Sequence, residues 1–270
     1  MPPTSRSSSR GAKKPRRYDP ARTRAALAAQ TEALRSAVHS LGTDDLDRPT
    51  RLGSWTVCEL VAHLGTVYDS ITHAVGELPP AGDPLTPSQW IAATRTAAPA
   101  IERYAHEIAA TADLDRSADA ALALLQDELT RNPDLVVPIR FGPMLLDDYL
   151  LTRLIETVVH ADDLADAVGI DAFPHDRHAL ATVTRLLADA LAERAPGGSV
   201  ELRVPPFAVV QCVEGPKHTR GTPPNVVETD PLTWIRLATG REQWEHAVDV
   251  AQLTASGERS DLSPLLPVMG

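Results

Sequence analysis

Arg153-Leu154-Ile155-Glu156-Thr157-Val158-Val159-His160-Ala161-Asp162-Asp163 is the stretch on which the reading of this chain turns. It lies in a run that holds no glycine or proline between Pro143 and Gly169. The pattern predicts one long helix, opened by Pro143 and closed by a glycine cap at Gly169. Residues four apart share a helix face, so Glu156 and His160 address a single spot. At about 100° per residue, Thr152, Arg153, Glu156, His160 and Asp163 fall on one side and Leu151, Leu154, Ile155 and Val158 on the other. Taken alone, that wheel describes an amphipathic helix with a solvated Glu–His pair. Asp147 and Asp162 interrupt the apolar side, however, and a long helix inside a bundle can be contacted on both faces.

A second segment, Trp55-Thr56-Val57-Cys58-Glu59-Leu60-Val61-Ala62-His63-Leu64, opens with the capping-box pattern Thr56-x-x-Glu59 and predicts a helix to about Val75. His63 stands at the edge of its apolar stripe of Leu60, Leu64, Val67 and Ile71. Boundary histidines are common without being ligands. If the two helices pack side by side, though, His63 joins Glu156 and His160. Two imidazoles and one carboxylate hold a divalent metal with one position open, the ligand count of a catalytic zinc. Cys58 is about 140° round the helix from His63 and falls outside that set.

The remaining segments organise around these two. Pro20 to Leu41 carries Leu27, Leu34, Val38 and Leu41 at helical spacing. Thr86-Pro87-Ser88-Gln89 starts a third helix, running to about Ala110 with a possible kink at Pro99. A helix near Ala118–Thr130 and an extended piece at Leu135–Phe141 follow. Beyond the long helix, another spans about His175–Arg194 and stops at Pro196-Gly197-Gly198. The pattern then changes to short strands at Val200–Val204, Ala208–Val213 and Asn225–Glu228, a helix opened by Asp230-Pro231, a strand at Val248–Leu253 and a terminal helix at Asp261–Leu266. The expected fold class is α+β: a four-helix-type bundle over residues 20–196, then a small α+β domain over 198–270. Residues 1–19, rich in Ser, Pro and Arg, are expected to be a disordered basic tail.

Composition narrows the function classes. The first 24 residues hold eight of the 26 basic side chains and one acid, which leaves 18 basic and 35 acidic residues in the remainder, a net of −17. An acidic body argues against a nucleic-acid surface. Cys58 and Cys212 form no CxxC and fit a reducing cytosol. No apolar run approaches a membrane span, and the N-terminus lacks a signal-peptide core. The expectation is a cytoplasmic protein with no membrane or nucleic-acid partner. There is no G-x-S-x-G, Walker loop, G-x-G-x-x-G or H-E-x-x-H.

Trp55-Thr56-Val57-x-Glu59-Leu60-Val61-Ala62-His63-Leu64, followed by Arg153-x-x-Glu156-x-x-x-His160-x-x-Asp163-Leu164, resembles the mycothiol-dependent maleylpyruvate isomerase family, a branch of the DinB-like metalloenzymes. The resemblance covers roughly residues 20–195. Asp230-Pro231-Leu232-Thr233-Trp234-Ile235-Arg236-Leu237-Ala238-Thr239-Gly240-Arg241 looks like the family's second, sterol-carrier-like domain. The resemblance implies Zn2+ or another divalent metal on His63, Glu156 and His160, with mycothiol as thiol cosubstrate. It implies partners in a low-molecular-weight thiol and a small electrophile. Thiolate addition to an activated alkene, rotation and elimination give cis–trans isomerisation, whereas stopping after addition gives thiol S-transfer. It also gives Arg153 and Asp163 an outer role around the ligands, against a plain reading as a surface arginine and a capping aspartate. For an anionic substrate, Arg220, Arg236 and Arg241 are the cation candidates, and the proline-rich stretch Pro216–Pro224 a candidate lid. The alternative function is a non-catalytic binder whose sterol-carrier-like domain holds an apolar or carboxylate ligand.

Overall fold

Local signals set the helix starts. The structure, a computed structural model, describes residues 16–95, 113–216 and 223–270. Asp19 caps α1 (Pro20–His39), its carboxylate accepting from the Arg22 amide at 3.1 Å. After a single turn, α2 (Thr43–Leu46), the Thr56–Glu59 box closes reciprocally on α3 (Val57–Gly76). The Thr86–Gln89 box does the same for α4 (Pro87–Thr94). The continuation expected to Ala110, with its kink at Pro99, lies outside the described residues. Helix α5 (Leu114–Leu124) begins earlier than expected because Asp113 caps it, and Thr130 belongs to a separate 3-10 turn.

Two expectations around the long helix need correction. The extended piece is one arm of a hairpin, β1 (Val136–Ile139) against β2 (Gly142–Leu145). Pro143 therefore opens no helix; it pairs with Pro138 across the two strands, and Gly142 supplies the positive φ of 139° at the turn. Helix α6 begins three residues later and runs Leu146–Val168, ending at Gly169 in the left-handed conformation. It is also not amphipathic in its setting. Every residue from Tyr149 to Ala165 is buried, with α1, α3, α4 and α7 (Arg177–Arg194) packed round it. A helix contacted on all sides hides its polar stripe as completely as its apolar one.

Helix α7 serves two layers. It packs on α1, α4 and α6 and also on the C-terminal β4 and α8. The C-terminal sheet has the order β4 (Ala208–Cys212), β3 (Val200–Val204), β5 (Val226–Thr229), β6 (Leu253–Ser256). The β3–β5 pair is parallel and the others antiparallel. Helix α8 (Pro231–Ala238) inserts Trp234, 1% exposed, whose indole N–H donates to the Thr184 carbonyl of α7 at 3.2 Å. The strand expected at Val248–Leu253 is displaced. Val248 lies in the last turn of α9 (Trp244–Asp249), Ala251 turns the chain at φ 57°, and β6 starts at Leu253. The expected terminal helix is one 3-10 turn, Ser263–Leu265, hemmed by Pro264 and Pro267.

The tail boundary also moves. Arg16, four residues before α1, bonds Asp189 of α7 at 2.8 Å, and Tyr18 packs against the core. No helix among the described residues is long and apolar enough to cross a membrane.

Candidate metal centre

Helices α3 and α6 lie side by side, and this packing brings the three expected residues together. One ligand atom from each of His63, Glu156 and His160 lies within 4.8 Å of the others. His160 Nε2 stands 3.1 Å and His63 Nε2 3.5 Å from the same oxygen, Glu156 Oε2. The imidazoles meet edge to face, centroids 4.9 Å apart, and Trp55 backs His63 at 5.1 Å. The solvated Glu–His pair suggested by the wheel is excluded, since Glu156 is 9% and His160 8% exposed.

The donor set suits a divalent cation. Burial pushes the His63 pKa down, toward the neutral ligand form. Burial would raise Glu156, but hydrogen bonds from His160 and His63 and the nearby Arg153 charge hold it well below the usual carboxylate range. Burial likewise opposes a charged His160, yet Asp163 and Glu156 outweigh it and raise its pKa. Asp163 Oδ2 accepts from His160 Nδ1 at 2.9 Å. That bond fixes the proton on Nδ1 and leaves Nε2 turned to Glu156 and His63, the arrangement of carboxylate–histidine–metal sites.

Behind the ligands lies a closed charge network. Arg51, from the turn before α3, reaches Asp163 at 2.7 Å and Asp162 at 2.5 Å. From the C-terminal domain, Arg236 grips Asp162 through two bonds of 2.8 and 2.6 Å, and Arg241 reaches Asp163 at 3.1 Å. Arg236 and Arg241, candidates for a substrate cation, are therefore committed to aspartates. Arg220 lies outside the described residues, as does most of the candidate lid. The sequence reading missed Arg51, which stands in a loop where no periodicity marks it.

In front of the ligands opens a cleft of about 900 Å³, lined by His63 and Glu156 together with Trp90, Tyr149, Arg153, Ile139 and Phe141. Arg153 is the departure from expectation: it is neither at the surface nor behind the ligands, and it faces this cleft. Cys58 and Cys212 line no part of it, and burial pushes the Cys212 thiol up to about 11. The C-terminal domain has a smaller groove of about 300 Å³ around Trp244 and Leu266.

Comparison with known proteins places this geometry. The family model of the mycothiol maleylpyruvate isomerase N-terminal domain matches residues 6–165, and that of a bacterial SCP ortholog matches residues 176–268. A crystal structure of the mycothiol-dependent maleylpyruvate isomerase superposes with a TM-score of 0.57 at 14% identity, covering 90% of this chain and 95% of that one. A histidine-to-alanine variant of the same enzyme gives 0.58 at 15% identity over the same shares. At such identity the likeness is one of fold. No curated protein matches.

Proposed function

The chain belongs to the family of the mycothiol maleylpyruvate isomerase N-terminal domain, and from that premise we propose that it is a mycothiol-using enzyme whose metal, zinc, is held by His63, Glu156 and His160. The reaction is addition of a thiolate to a small electrophile, with cis–trans isomerisation of a maleylpyruvate-like compound as its outcome and thiol S-transfer as the variant that stops at addition. The observation that carries this reading is the convergence of two imidazoles and one carboxylate, of which His63 and Glu156 line a cleft.

When bound there, the metal supplies a Lewis-acidic open position at which an exogenous thiol loses its proton near neutral pH. The chain's own residues prepare that position. Glu156 supplies the negative charge, and Asp163 holds His160 with Nε2 turned toward Glu156 and His63. Trp55 backs the His63 ring, and Trp90 and Tyr149 give the cleft aromatic walls. No protein thiol lines the cleft among the described residues, which fits a nucleophile brought in from outside. A cytosolic setting follows from the same dependence on a small-molecule thiol, and the acidic body suits small-molecule partners better than nucleic acid.

Metal analysis tests the proposal. The purified protein is expected to hold close to one zinc per chain, and His63→Ala to lose it while keeping the helical circular dichroism. Glu156→Gln preserves size but removes the charge, so zinc affinity should fall about 10- to 100-fold or more. Zinc-loaded wild type should bind mycothiol in a titration that a chelator abolishes. Unchanged zinc in the His63 variant would sink the three-ligand site, and chelator-insensitive mycothiol binding would sink the thiol's placement.

A further inference from the structure

Two guanidiniums that line this cleft have no acidic partner among the described residues: Arg140, exposed at the turn of the β1–β2 hairpin, and Arg153. Arg51, Arg236 and Arg241 are each paired with Asp162, Asp163 or both. Arg153 is as buried as the ligands, at 9% exposure, yet no carboxylate among the described residues pairs with it. Its Nε–H donates to Thr152 Oγ1 at 3.1 Å. Its Cζ lies 4.7 Å from the Tyr149 ring centroid and 5.4 Å from that of Trp90. Aromatic faces stabilise the charge, but they satisfy none of its remaining N–H donors. A guanidinium has five donors in a planar fork, and one is used here. The other four belong to the Nη end, and Arg153 lines the cleft one helical turn before Glu156.

The Nη atoms are not among the buried polar atoms that lack a partner, so they open to the cleft instead of being sealed in protein. The acids nearby are engaged elsewhere. Glu156 is shared by the two histidines, and Glu77, at another part of the cleft, is paired with His73. The stem and plane of Arg153 are held by Thr152 and two rings, so its fork is oriented before any ligand arrives. A fixed guanidinium fork open to a cleft is a receptor for a carboxylate, which it takes through two parallel hydrogen bonds.

We propose that Arg153 is the substrate-binding residue that takes a carboxylate of the electrophile and sets it beside the His63–Glu156–His160 triad. The inference deepens the reading given under Proposed function by naming the recognised group: the substrate is a short carboxylate anion whose reactive carbon lies within a few bonds of the carboxylate. Its charge is read by a residue of the helical bundle, and not by Arg236 or Arg241 of the second domain.

Maleate, a four-carbon unsaturated dicarboxylate, and its uncharged dimethyl ester are the probes, titrated calorimetrically against the full chain in zinc-loaded and chelator-treated forms. Wild type should bind maleate, and Arg153→Met, which keeps an unbranched side chain between the two rings, should weaken that binding roughly 10- to 100-fold. Dimethyl maleate should bind equally to both. Arg153→Lys keeps the charge without the fork and should fall between; it carries the test alone if the Met variant fails to fold. Treatment with chelator should leave the ratio of wild type to variant in place, because the contact is with the guanidinium. Persistence of that ratio in a protein that holds no zinc would support this assignment while removing the metal chemistry. The assignment is overturned by maleate binding that is equal in wild type and both variants. It is overturned equally by a parallel loss of the ester, or by loss of all maleate binding on removing the metal.

Discussion

Helix α6 carries two sets of buried charge, and they are resolved in opposite ways. Toward its C-terminus, Asp162 and Asp163 are enclosed by Arg51, Arg236 and Arg241, and Asp163 also takes the Nδ1 proton of His160. Two to three turns earlier, Glu156 is shared by two imidazoles and Arg153 is matched by no acid among the described residues, and both line a cleft. Opposite charges fill the first set, so nothing further is needed there. The second retains a cation at one point and a convergent donor set at another. Closure marks a joint between the bundle and the second domain; incompleteness is what the proposed ligand site rests on.

The contrast breaks if the two sets respond alike to substitution. The largest effect is expected at the closed set. Asp163→Ala leaves Arg241 and His160 Nδ1 without their acid and Arg51 with Asp162 alone, and should cost about 3–5 kcal/mol of unfolding free energy in denaturant titration. A loss under about 1 kcal/mol would mean that the arginines find water or another acid. His63→Ala at the open set should leave metal-free stability nearly unchanged, which makes the two variants a direct comparison.

A smaller effect separates the two arginines of the second domain. Arg241 acts on the ligand His160 through Asp163, whereas Arg236 meets only Asp162. Arg241→Met should lower zinc affinity roughly 10-fold, and Arg236→Met should change it less while still loosening the joint. Equal shifts in zinc titrations of the two variants would show that Asp162 and Asp163 act as one unit.

His175 gives a pH signature of the same interior. The Gln30 carbonyl oxygen accepts from the Asp176 amide, so its NH2 donates to His175 Nδ1, and burial lowers the imidazole pKa to about 4. Asp162 opposes that shift and Arg236 reinforces it. The folded pKa lies below the unfolded value near 6.5, so the unfolded chain takes up the proton first as the pH drops. Stability should therefore decline from about pH 6.5 toward 4, by up to about 3 kcal/mol from this group. His175→Gln should flatten that part of the stability profile.

The smallest effect lies at the N-terminus. Removing residues 1–15 should leave the melting temperature in place, whereas removal through Asp19 also deletes the Arg16–Asp189 pair and the α1 cap, a loss of about 1–2 kcal/mol. Equal melting of the two truncations would mean that neither contact persists in solution.

Much of the architecture was legible because its causes are local. Capping boxes at Thr56–Glu59 and Thr86–Gln89, a glycine stop at Gly169, the apolar alternation from Val200 and the Val226–Val227 pair act over a few residues, and the elements begin or end where those signals stand. Local signals misled where two meanings share one residue. Pro143 fits a first helical turn and a hairpin strand equally, and only pairing with β1 chose between them.

The i,i+4 spacing of Glu156 and His160 was likewise fixed by the chain itself, since helical geometry places them on one face whatever surrounds it. Helical periodicity records direction round an axis and carries no information about what packs in that direction. Whether the polar side of α6 met water or protein was thus decided by α3, α4 and the second domain closing over it. The same packing brought His63 to the pair and committed Arg236 and Arg241 to aspartates. Among the described residues it left Arg153 as the buried cation of the cleft without an acid, because the pairing of a buried charge depends on neighbours that are distant in sequence and adjacent only in the folded chain.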